Sequence, residues 1–246
     1  MNVLILRFEA PLMSFGTVAV DKWRPSGPFP ALSAVTGLLG AALGYKRYQS
    51  GDLQRLEDRL RLASRVDRRG QLLTDYQTVD IGEPWMNGSA RGVGWTTRHK
   101  IETRGGASPG SGTLIRHRTY WADVVTTLAI TLQPAAENPT VAETAQALWR
   151  PHYPLFLGRK SCPPAAPILL EQSDAQSLYE ALEAVPAHDH ADGDSLPAQW
   201  PIEEIGGLQE EVLRDRRDWA NQVHAGSRRA WRGTVTPRIA KESVDE

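Results

Sequence analysis

The sequence predicts an α+β protein: a ferredoxin-like domain of the RNA-recognition-motif type, followed by a smaller β-rich C-terminal subdomain. Three observations predict this plan. Apolar runs and helical patterns alternate in the order strand, helix, strand, strand, helix, strand, which is that of the ferredoxin-like sheet. A long, glycine-rich and basic segment interrupts this order as a hairpin-like insertion. After residue 162, closely spaced prolines and a reversal of charge mark a boundary.

The first strand and the first helix have clear local signals. Residues 3–6 are an apolar run with β propensity, which predicts a buried strand. Ser33 is placed to cap a helix over residues 34–43, and Gly44 is placed to end it. With Arg24 upstream, the start of this helix would combine a hydroxyl, free backbone N–H groups and positive charge. We therefore expect it to bind a phosphate.

The remaining elements of the domain follow from periodicity and propensity. A helix is expected over residues 56–62 and a strand over residues 63–66. Residues 75–79 predict a strand that leads into the insertion. The strand pattern resumes over residues 119–132, and residues 143–149 predict the second helix of the plan.

The chain is expected to divide near residue 165. We predict a ferredoxin-like RNA-binding domain over residues 1–165, with the insertion at about residues 80–118. A small subdomain over residues 166–238 and a disordered tail over residues 239–246 follow. Within the subdomain, the pattern predicts two short strands and one exposed loop, at residues 168–170, 211–214 and 186–199, respectively.

The composition is that of an ordinary globular protein. Among its 246 residues, 41% are hydrophobic and 23% are charged, which excludes the fibrous and disordered classes. No apolar run approaches the roughly 18 residues that a membrane-spanning helix needs. Cys162 is the single cysteine, so no internal disulfide can form, as is typical of a reducing compartment. We therefore expect a cytoplasmic protein with no membrane partner.

The net charge of −1 conceals a strong asymmetry. Residues 1–120 hold 17 Lys and Arg against 10 Asp and Glu, a difference of +7, whereas residues 121–246 hold 11 against 19, a difference of −8. Between Lys160 and Arg214 there are 11 acidic residues and no Lys or Arg. The basic half can attract a polyanion, while the acidic block is suited to solvent or to a protein partner.

The insertion concentrates cations and rings within residues 88–120. Six cations stand there against one acid, Glu102: Arg91, Arg98, Lys100, Arg104, Arg116 and Arg118. Four rings are interleaved with them: Trp95, His99, His117 and Tyr120. Cations that pair with phosphates beside rings that stack on bases are typical of proteins that bind single-stranded nucleic acid.

Each kind of side chain has an expected role in holding a single strand. The cations of the insertion are expected to follow the phosphates: Arg91, Arg98, Lys100 and Arg104. Two rings are expected to stack on bases: Trp95 and Tyr120. Four cations are expected to line the root of the groove: Arg116, Arg118, Arg159 and Lys160. Arg24 and Ser33 are expected to hold one end, and Tyr76, His99 and His117 complete the predicted RNA-binding set.

Three other interpretations stay open at this level. The insertion is also compatible with a solvated surface loop. A metal-independent ribonuclease needs a general base, a general acid and a cation, and the chain offers these types in His99, Lys100, His117, Tyr76 and Tyr120. A purely structural protein that bridges subunits would rely instead on the acidic block, residues 171–211.

The sequence predicts no metal and no cofactor. His188, Asp189 and His190, with Asp192 and Asp194, are metal-ligating types. However, proline and glycine bracket this run, and a metal site needs a rigid frame with orienting contacts. We therefore expect a solvated loop there.

Four segments together resemble a known family. They are RPSGPFP (24–30) running into GLLGAALG (37–44), DYQTV (75–79), RHRTY (116–120) and LGRKSCP (157–163). In this order and at these separations, over about residues 1–165, they are similar to the fifth family of CRISPR-associated (Cas) proteins, which supplies a subunit of type I-E Cascade.

The resemblance implies a fold, a function and partners. The fold would be an RNA-recognition-motif-like domain with a long β-hairpin thumb, onto which the insertion maps. The thumb would grip the 5′ handle of the CRISPR RNA (crRNA) in antiviral defence. The large subunit and the nearest backbone subunit would be protein partners, and target DNA would be met indirectly. Precursor cleavage is assigned to a different subunit in this subtype, although some relatives in another subtype are endoribonucleases.

Overall fold

The computed structural model describes residues 1–17, 22–80, 93–95, 101–103 and 113–238. At residues 78–80, 93–95, 101–103 and 113–114 it describes the backbone alone. The predicted tail, residues 239–246, lies outside the described residues.

Four helices and seventeen strands make up the described part of the chain. The helices are α1 (Leu32–Ala42), α2 (Ser50–Arg59), α3 (Val141–Trp149) and α4 (Leu178–Ala184). The strands of the first half are β1 (Asn2–Glu9), β2 (Leu12–Met13), β3 (Phe15–Gly16), β4 (Trp23–Arg24), β5 (Ser26–Gly27), β6 (Leu60–Arg68), β7 (Gln71–Asp80), β8 (Val93–Trp95), β9 (Ile101–Thr103) and β10 (Thr113–Ala122). The later strands are β11 (Val125–Leu132), β12 (Leu169–Asp174), β13 (Leu196–Pro201), β14 (Gln209–Leu213), β15 (Arg217–Asp218), β16 (Val223–His224) and β17 (Arg228–Val235).

A seven-stranded antiparallel sheet is the frame of the molecule. Its strands lie in the order β12, β1, β11, β6, β13, β17, β14. Helices α1, α2 and α3 cover one face, where Leu4, Leu6 and Phe8 of β1 join the larger apolar core. Val3 and Ile5 point to the other face, where they pack with helix α4. Strand β1 is therefore buried on both sides, which explains its unbroken apolar run.

The local predictions for two strands and one helix are confirmed. Strand β1 contains residues 3–6, and β7 contains residues 75–79. Helix α3 contains residues 143–149. It begins with a reciprocal cap, in which the Thr140 hydroxyl accepts the Glu143 N–H and the Glu143 carboxylate accepts the Thr140 N–H.

Other boundaries differ from the predictions. Helix α2 ends at Arg59, and residues 60–62, which were expected to be helical, open strand β6 instead. Residues 119–132 are two strands rather than one, because the chain turns at Asp123, which has a φ of 60°. The predicted loop over residues 186–199 ends in strand β13, whose Ala198 and Trp200 are buried in the second core.

Most strands beyond residue 165 belong to the large sheet, and among the described strands β15 and β16 pair only with each other. Strand β12 pairs with β1, and β13 pairs with β6, so both edges of the early strands are extended by late ones. Helix α4 covers the face of the sheet opposite to α1, α2 and α3. Residues on both sides of the predicted boundary near residue 165 therefore contribute to the large sheet and to the core beneath α4.

A long two-stranded ribbon extends from this frame. Strands β7 and β10 pair antiparallel through ten residue pairs, from Gln71 with Ala122 to Asp80 with Thr113. They continue β6 and β11, which already pair with each other inside the large sheet. Gly70, with a φ of 62°, bends the chain between β6 and β7, and a Cβ there would lie 2.2 Å from the Ala122 carbonyl oxygen. Hence the ribbon is the outward continuation of two central strands.

Short strands brace the ribbon near its base. Strand β4 lies parallel to β10, with Trp23 beside His117 and Arg24 beside Arg118. Strand β2 pairs with the end of β10. Farther along the chain, the backbones of β8 and β9 pair antiparallel with each other.

None of the helices in the described ranges has the length and apolar character needed to cross a bilayer.

Candidate nucleic-acid interface

The ribbon has two chemically different faces. Residues that lie opposite each other in a β ladder point to the same side, and successive residues alternate sides. Arg116 and Arg118 therefore lie on one face, opposite Gln77 and Asp75 of β7. His117 lies on the other face. We call the first the cationic face and the second the aromatic face.

The cationic face forms one wall of an open cleft of about 730 Å³. The other wall comes from residues 159–161, which follow α3 in the chain. The residues that line the cleft are Leu12, Leu73, Thr74, Asp75, Gln77, Arg118, Tyr120, Arg159, Lys160 and Ser161. The cleft thus brings together Arg118, Arg159 and Lys160, three of the cations that the sequence places at the root of the groove.

Arg159 is held in place by the local fold. Leu157 and Cys162, on either side of it, are buried in the larger apolar core. Gly158 has a φ of 105°, and a Cβ at this position would lie 1.9 Å from the Ser14 carbonyl oxygen. This close approach requires glycine, because any side chain would push the loop off its support. The loop that carries Arg159 is therefore fixed to the frame.

The Arg159 guanidinium makes several contacts inside the cleft. Its Nη1 donates to the Thr119 carbonyl oxygen at 3.0 Å, and its Nη2 donates to the Arg24 carbonyl oxygen at 3.4 Å. Its central carbon lies 4.5 Å from the centre of the Tyr120 ring. Arg159 therefore ties β10 to β4, in addition to bringing a charge into the cleft.

The prediction that Tyr120 stacks on a base is wrong. Its side chain is only 6% exposed and belongs to the larger apolar core, and Arg159 covers its ring. A base cannot reach either face of a ring in this position. The same burial removes Tyr120 from the groups that could act as a general acid or base.

The charge of the cleft is positive. It is lined by three cations and one acid, Asp75, a balance of 3 − 1 = +2. Gln77 donates a hydrogen bond to the Asp75 carboxylate. Within the described part of the chain, none of the four cations Arg116, Arg118, Arg159 and Lys160 forms an ion pair with a carboxylate. Their charges are therefore not neutralised by a described carboxylate and remain available to an anion.

Arg24 and Arg116 lie beside the cleft. Arg24 is the register partner of Arg118, and it donates to the Trp23 carbonyl oxygen at 2.9 Å. Arg116 is half-buried, and its Nη1 donates to the Ile115 carbonyl oxygen at 3.0 Å. Both guanidinium groups stand on the side of the ribbon that faces the cleft.

The aromatic face carries three rings in contact. The rings of Trp23 and His117 are stacked, with centroids 4.2 Å apart and planes 17° from parallel. The Tyr76 ring contacts the His117 ring edge-on, with the two ring centroids 5.3 Å apart. His117 thus stands on the face opposite to Arg116 and Arg118, although it lies between them in the sequence.

The predicted phosphate site at the start of α1 is also wrong. Ala31, rather than Ser33, occupies the cap position, and Ser33 is a buried residue inside the helix. The N–H of Leu32 donates to the Asp215 carboxylate at 3.0 Å, and the N–H of Ser33 donates to the Asp215 carbonyl oxygen at 3.1 Å. Arg228 pairs with the same carboxylate at 3.0 Å. An acid of the chain itself therefore occupies the position expected for a phosphate.

Six residues of the predicted interface are not placed by the structure. Arg91, Arg98, His99, Lys100 and Arg104 lie outside the described residues, and only the backbone of Trp95 is described.

The histidine-rich loop is attached to the frame by hydrogen bonds. The His188 N–H donates to the Asp67 carboxylate at 3.0 Å, and the Arg69 N–H donates to the Asp192 carboxylate at 2.7 Å. Nowhere among the described residues do three side chains of His, Cys, Asp or Glu converge as metal ligands would.

Sequence reasoning missed Trp23 as a member of the site. It stands next to Arg24 in a proline-rich stretch, where no periodicity assigns a side chain to a face. The available signal was the alternation along β10, which separates His117 from its two arginine neighbours. This alternation would have predicted the two faces of the ribbon, but not that the Trp23 ring packs on the face of His117.

Comparison with known sequences identifies relatives over most of the chain. A family model described as CRISPR-associated protein (Cas_Cas5) matches residues 3–230. The chain is 32% identical over 186 residues to the CRISPR system Cascade subunit CasD of Escherichia coli (strain K12). That match covers 74% of this chain and 75% of the relative.

Two solved structures share the fold. A chain from a CRISPR RNA-guided surveillance complex aligns with a TM-score of 0.71 at 24% identity, covering 98% of this chain and 95% of that one. The crystal structure of a Cas protein aligns with a TM-score of 0.60 at 24% identity, covering 95% of this chain and 94% of that one. The mixed α/β fold with mostly antiparallel sheets is therefore shared with both.

Proposed function

Since the chain belongs to the family of CRISPR-associated proteins (Cas_Cas5), we propose that it is a non-catalytic, crRNA-binding subunit of a type I-E Cascade surveillance complex. In this proposal the ribbon and the cleft grip the 5′ handle of the crRNA. Other surfaces contact the large subunit and the backbone subunits, and target DNA is met only through the assembled complex.

The observation that carries the proposal is the cluster of cations in the cleft. Arg118, Arg159 and Lys160 converge on a cleft that holds one acid, and they form no ion pair with a described carboxylate. Cations that serve only the fold are normally paired when they are held close together, because like charges repel. A cluster of unpaired cations in a concave surface is suited to phosphates.

The dimensions of the ribbon suit a short single strand. Ten residues of β structure span roughly 34 Å, at about 3.4 Å per residue. Binding sites for single-stranded nucleic acid extend over about 4–16 nucleotides in other folds. One face of the ribbon is therefore long enough to follow several consecutive phosphates.

The strand order supports the finer assignment of an RNA-recognition-motif-like domain. Strands β1, β6, β11 and β12 lie in the order β12, β1, β11, β6, and helices α1 and α3 connect them on the larger-core side. This is the arrangement of the ferredoxin-like plan. Because α4 covers the opposite face, we assign the RNA to the ribbon and cleft rather than to the face of the sheet.

The thumb of the family is assigned here to β7, β10 and the chain between them. The ten-pair ladder supports this assignment, since it carries the chain away from the frame over the whole length of both strands. The predicted insertion begins near the outer end of β7, at residue 80.

The experiment compares RNA binding across salt concentrations. Handle RNA of the cognate CRISPR repeat is titrated with wild type and with the double variant Arg116→Ala, Arg118→Ala, and binding is followed by fluorescence anisotropy. Each lost phosphate contact should make the slope of log K against log salt shallower by about 0.7. We expect a change of up to about 1.4 together with weaker binding at every salt concentration.

A control with the same change in charge separates local from general electrostatics. Arg47 and Arg150 are exposed and do not line the cleft. The double variant Arg47→Ala, Arg150→Ala should keep the wild-type slope. Equal slopes for wild type and the ribbon variant would contradict the proposal.

A cleavage assay tests the non-catalytic part of the proposal. Purified protein is incubated with repeat RNA in the presence of a chelator. We expect intact RNA, because Tyr120 is buried and the His117 ring is stacked on Trp23. A discrete 5′-handle product that disappears in His117→Ala would instead establish a metal-independent ribonuclease.

Reconstitution with the other subunits tests the assembly role. The charge-reversed ribbon, Arg116→Glu with Arg118→Glu, should reduce the crRNA content of the complex. If instead assembly and crRNA content are unchanged, while charge changes in the acidic block (residues 171–211) dissociate the complex, the protein is a structural bridge.

A further inference from the structure

The aromatic face of the ribbon exposes several large apolar side chains. Trp23 is 47% exposed and Tyr76 is 58% exposed, although both rings contact His117. On the same face, Ile115 and Leu72 are also exposed. Scattered exposed apolar residues are common in proteins, but a contiguous group of them normally marks a binding surface.

The three rings are held in a defined arrangement. Strand β4 places Trp23 directly beside His117, and β7 places Tyr76 directly opposite His117. The His117 N–H donates to the Lys22 carbonyl oxygen at 3.0 Å, which fixes β4 against the ribbon. The rings are therefore positioned by backbone pairing, and they need no ligand to assemble.

One face of the Trp23 ring is available to a ligand. His117 is stacked on the other face, so the exposed area of Trp23 lies on its outer face and edges. A planar ring that already has one stacked neighbour is a ready platform for a second. Stacking on such a platform is the way in which single-stranded nucleic acids bind without base pairing.

The position of the platform fixes the chemical class of the ligand. Arg118 and Arg24 are the residues next to His117 and Trp23 in their strands, and they point to the opposite face of the same ribbon. Phosphates on one side of a narrow ribbon and bases on the other are what a single RNA strand crossing over it would present. We infer that Trp23, His117 and Tyr76 form a stacking platform for an unpaired nucleobase of the bound RNA. This inference rests on the proposed function and adds a base-binding element to it.

The test removes either the ring or the base. The full-length variants Trp23→Ala and Tyr76→Ala are titrated with handle RNA, alongside Trp149→Ala and Tyr48→Ala, which remove exposed rings elsewhere. Loss of one stacked base is expected to weaken binding roughly 5- to 150-fold. The salt slope should stay at its wild-type value, because no phosphate contact is lost. The two control variants should bind as wild type does, and Trp23→Phe should recover most of the affinity.

A scan with abasic nucleotides identifies the base. Each handle position in turn is replaced by an abasic residue, which keeps the phosphate. Wild type should lose affinity at one or two positions, and Trp23→Ala should lose little more at those positions, because the two changes remove the same contact. Equal losses in wild type and Trp23→Ala at every position would overturn the inference.

The outcomes separate this inference from the function on which it rests. If wild type shows no salt-dependent RNA binding, the proposed function fails, and the platform fails with it. If wild type binds and the ribbon arginines matter, but Trp23→Ala and Tyr76→Ala bind all RNAs normally, only the platform is refuted. If these two variants bind RNA normally but no longer join the other Cascade subunits, the aromatic face is a protein interface instead.

Discussion

The large sheet and the ribbon use the same charged residues in opposite ways. In the sheet, Arg65 and Asp67 are completely buried and paired with each other. On the ribbon, Arg116 and Arg118 reach solvent and have no ion-pair partner among the described carboxylates. The comparison teaches that a guanidinium stabilises the fold where all its hydrogen bonds are made internally, and is available for binding where they are not.

The buried arginine shows how complete this internal bonding is. Nε of Arg65 donates to the Asp67 carboxylate at 2.7 Å. Its Nη1 donates to the Val185 carbonyl oxygen at 2.9 Å and its Nη2 to the Pro186 carbonyl oxygen at 3.2 Å. These carbonyls follow the end of α4, so Arg65 caps that helix and fixes it on the sheet. Asp67 also accepts the Thr127 hydroxyl at 3.0 Å.

The largest effect is expected when the buried pair is broken. Arg65→Met removes the fully buried partner of Asp67 and leaves, among the described residues, only the cation Arg7, whose Nη2 lies 3.7 Å from the carboxylate. Loss of the buried partner should cost about 3–5 kcal/mol in the free energy of unfolding. Urea denaturation measures this loss. Under conditions in which Arg65→Met is folded, its handle-RNA binding should show the wild-type slope of log K against log salt. Arg65 lies on neither face of the ribbon.

A second substitution sharpens this prediction. In Arg65→Met combined with Asp67→Asn, the buried charge that has lost Arg65 is removed, while an oxygen remains to accept the Thr127 hydroxyl. The double variant should therefore be more stable than Arg65→Met alone. If the double variant were less stable, the contacts of Asp67 with Arg7 and Thr127 would stabilise the fold by more than its buried charge costs.

An intermediate effect is expected at the junction of the two regions. Gly158→Ala forces a side chain onto a residue with a φ of 105° and places its Cβ 1.9 Å from the Ser14 carbonyl oxygen. The backbone strain alone costs roughly 1–3 kcal/mol. Because Arg159 is displaced with the loop, RNA affinity should fall as well. The control Gly51→Ala, in a helix with open space around it, should leave stability unchanged or raise it by up to about 1 kcal/mol.

The pH dependence of stability tests a buried acid of the frame. Glu57 accepts the Arg217 N–H at 2.8 Å and the Trp219 indole N–H at 3.0 Å, and its burial raises the pKa of the carboxyl group. A raised pKa in the folded state means that the stability from Glu57 is present below about pH 4.5 and is lost as the pH rises through the folded value. The stability of wild type relative to Glu57→Gln should therefore fall as the pH rises above 4.5.

An exposed acid supplies the opposite sign. Hydrogen bonds from the Thr140 N–H and hydroxyl lower the pKa of Glu143 below 4.5. Its contribution is present above that pH and is lost as the pH falls through the folded value. Thermal unfolding of wild type and Glu143→Gln should therefore diverge as the pH rises from strongly acidic values, and parallel curves would contradict the assignment.

The smallest effect on stability is expected on the ribbon itself. Arg116→Ala with Arg118→Ala should change the free energy of unfolding by less than about 0.5 kcal/mol per site, since neither side chain has an ion-pair partner to lose among the described residues. Chemical denaturation measures it beside the RNA titration. A loss comparable with that of Arg65→Met would remove the distinction between the two regions.

Local patterns in the sequence predicted the elements whose stability is local. The apolar run of β1 and the helical pattern of α3 are contained in a few neighbouring residues, and both elements were predicted correctly. The break at Asp123 was not, because residues on both sides of it have β propensity and the turn depends on a single positive φ. The start of α1 was missed because its N–H groups are bonded by Asp215, a residue 183 positions away.

The site was predictable in its charge but not in its geometry. Arg118, Arg159 and Lys160 were assigned from residue type, and the structure places all three along one cleft. Tyr120 was misassigned because a tyrosine in a strand has the same local sequence pattern whether its ring is buried or exposed. Trp23 was missed because its contact with His117 depends on the parallel pairing of β4 with β10, which joins segments about 90 residues apart and leaves no local periodicity.

Strand β7 continues β6, and β10 continues into β11. This continuity limits how the ribbon can change in length. Adding two residues to each strand would advance its tip by about 7 Å and leave every side chain on its present face. Adding one residue to each would turn the arginines beyond the addition to the side of the rings, and the rings to the side of the arginines. The ribbon therefore keeps its arginines on one face and its rings on the other only if each strand gains or loses an even number of residues.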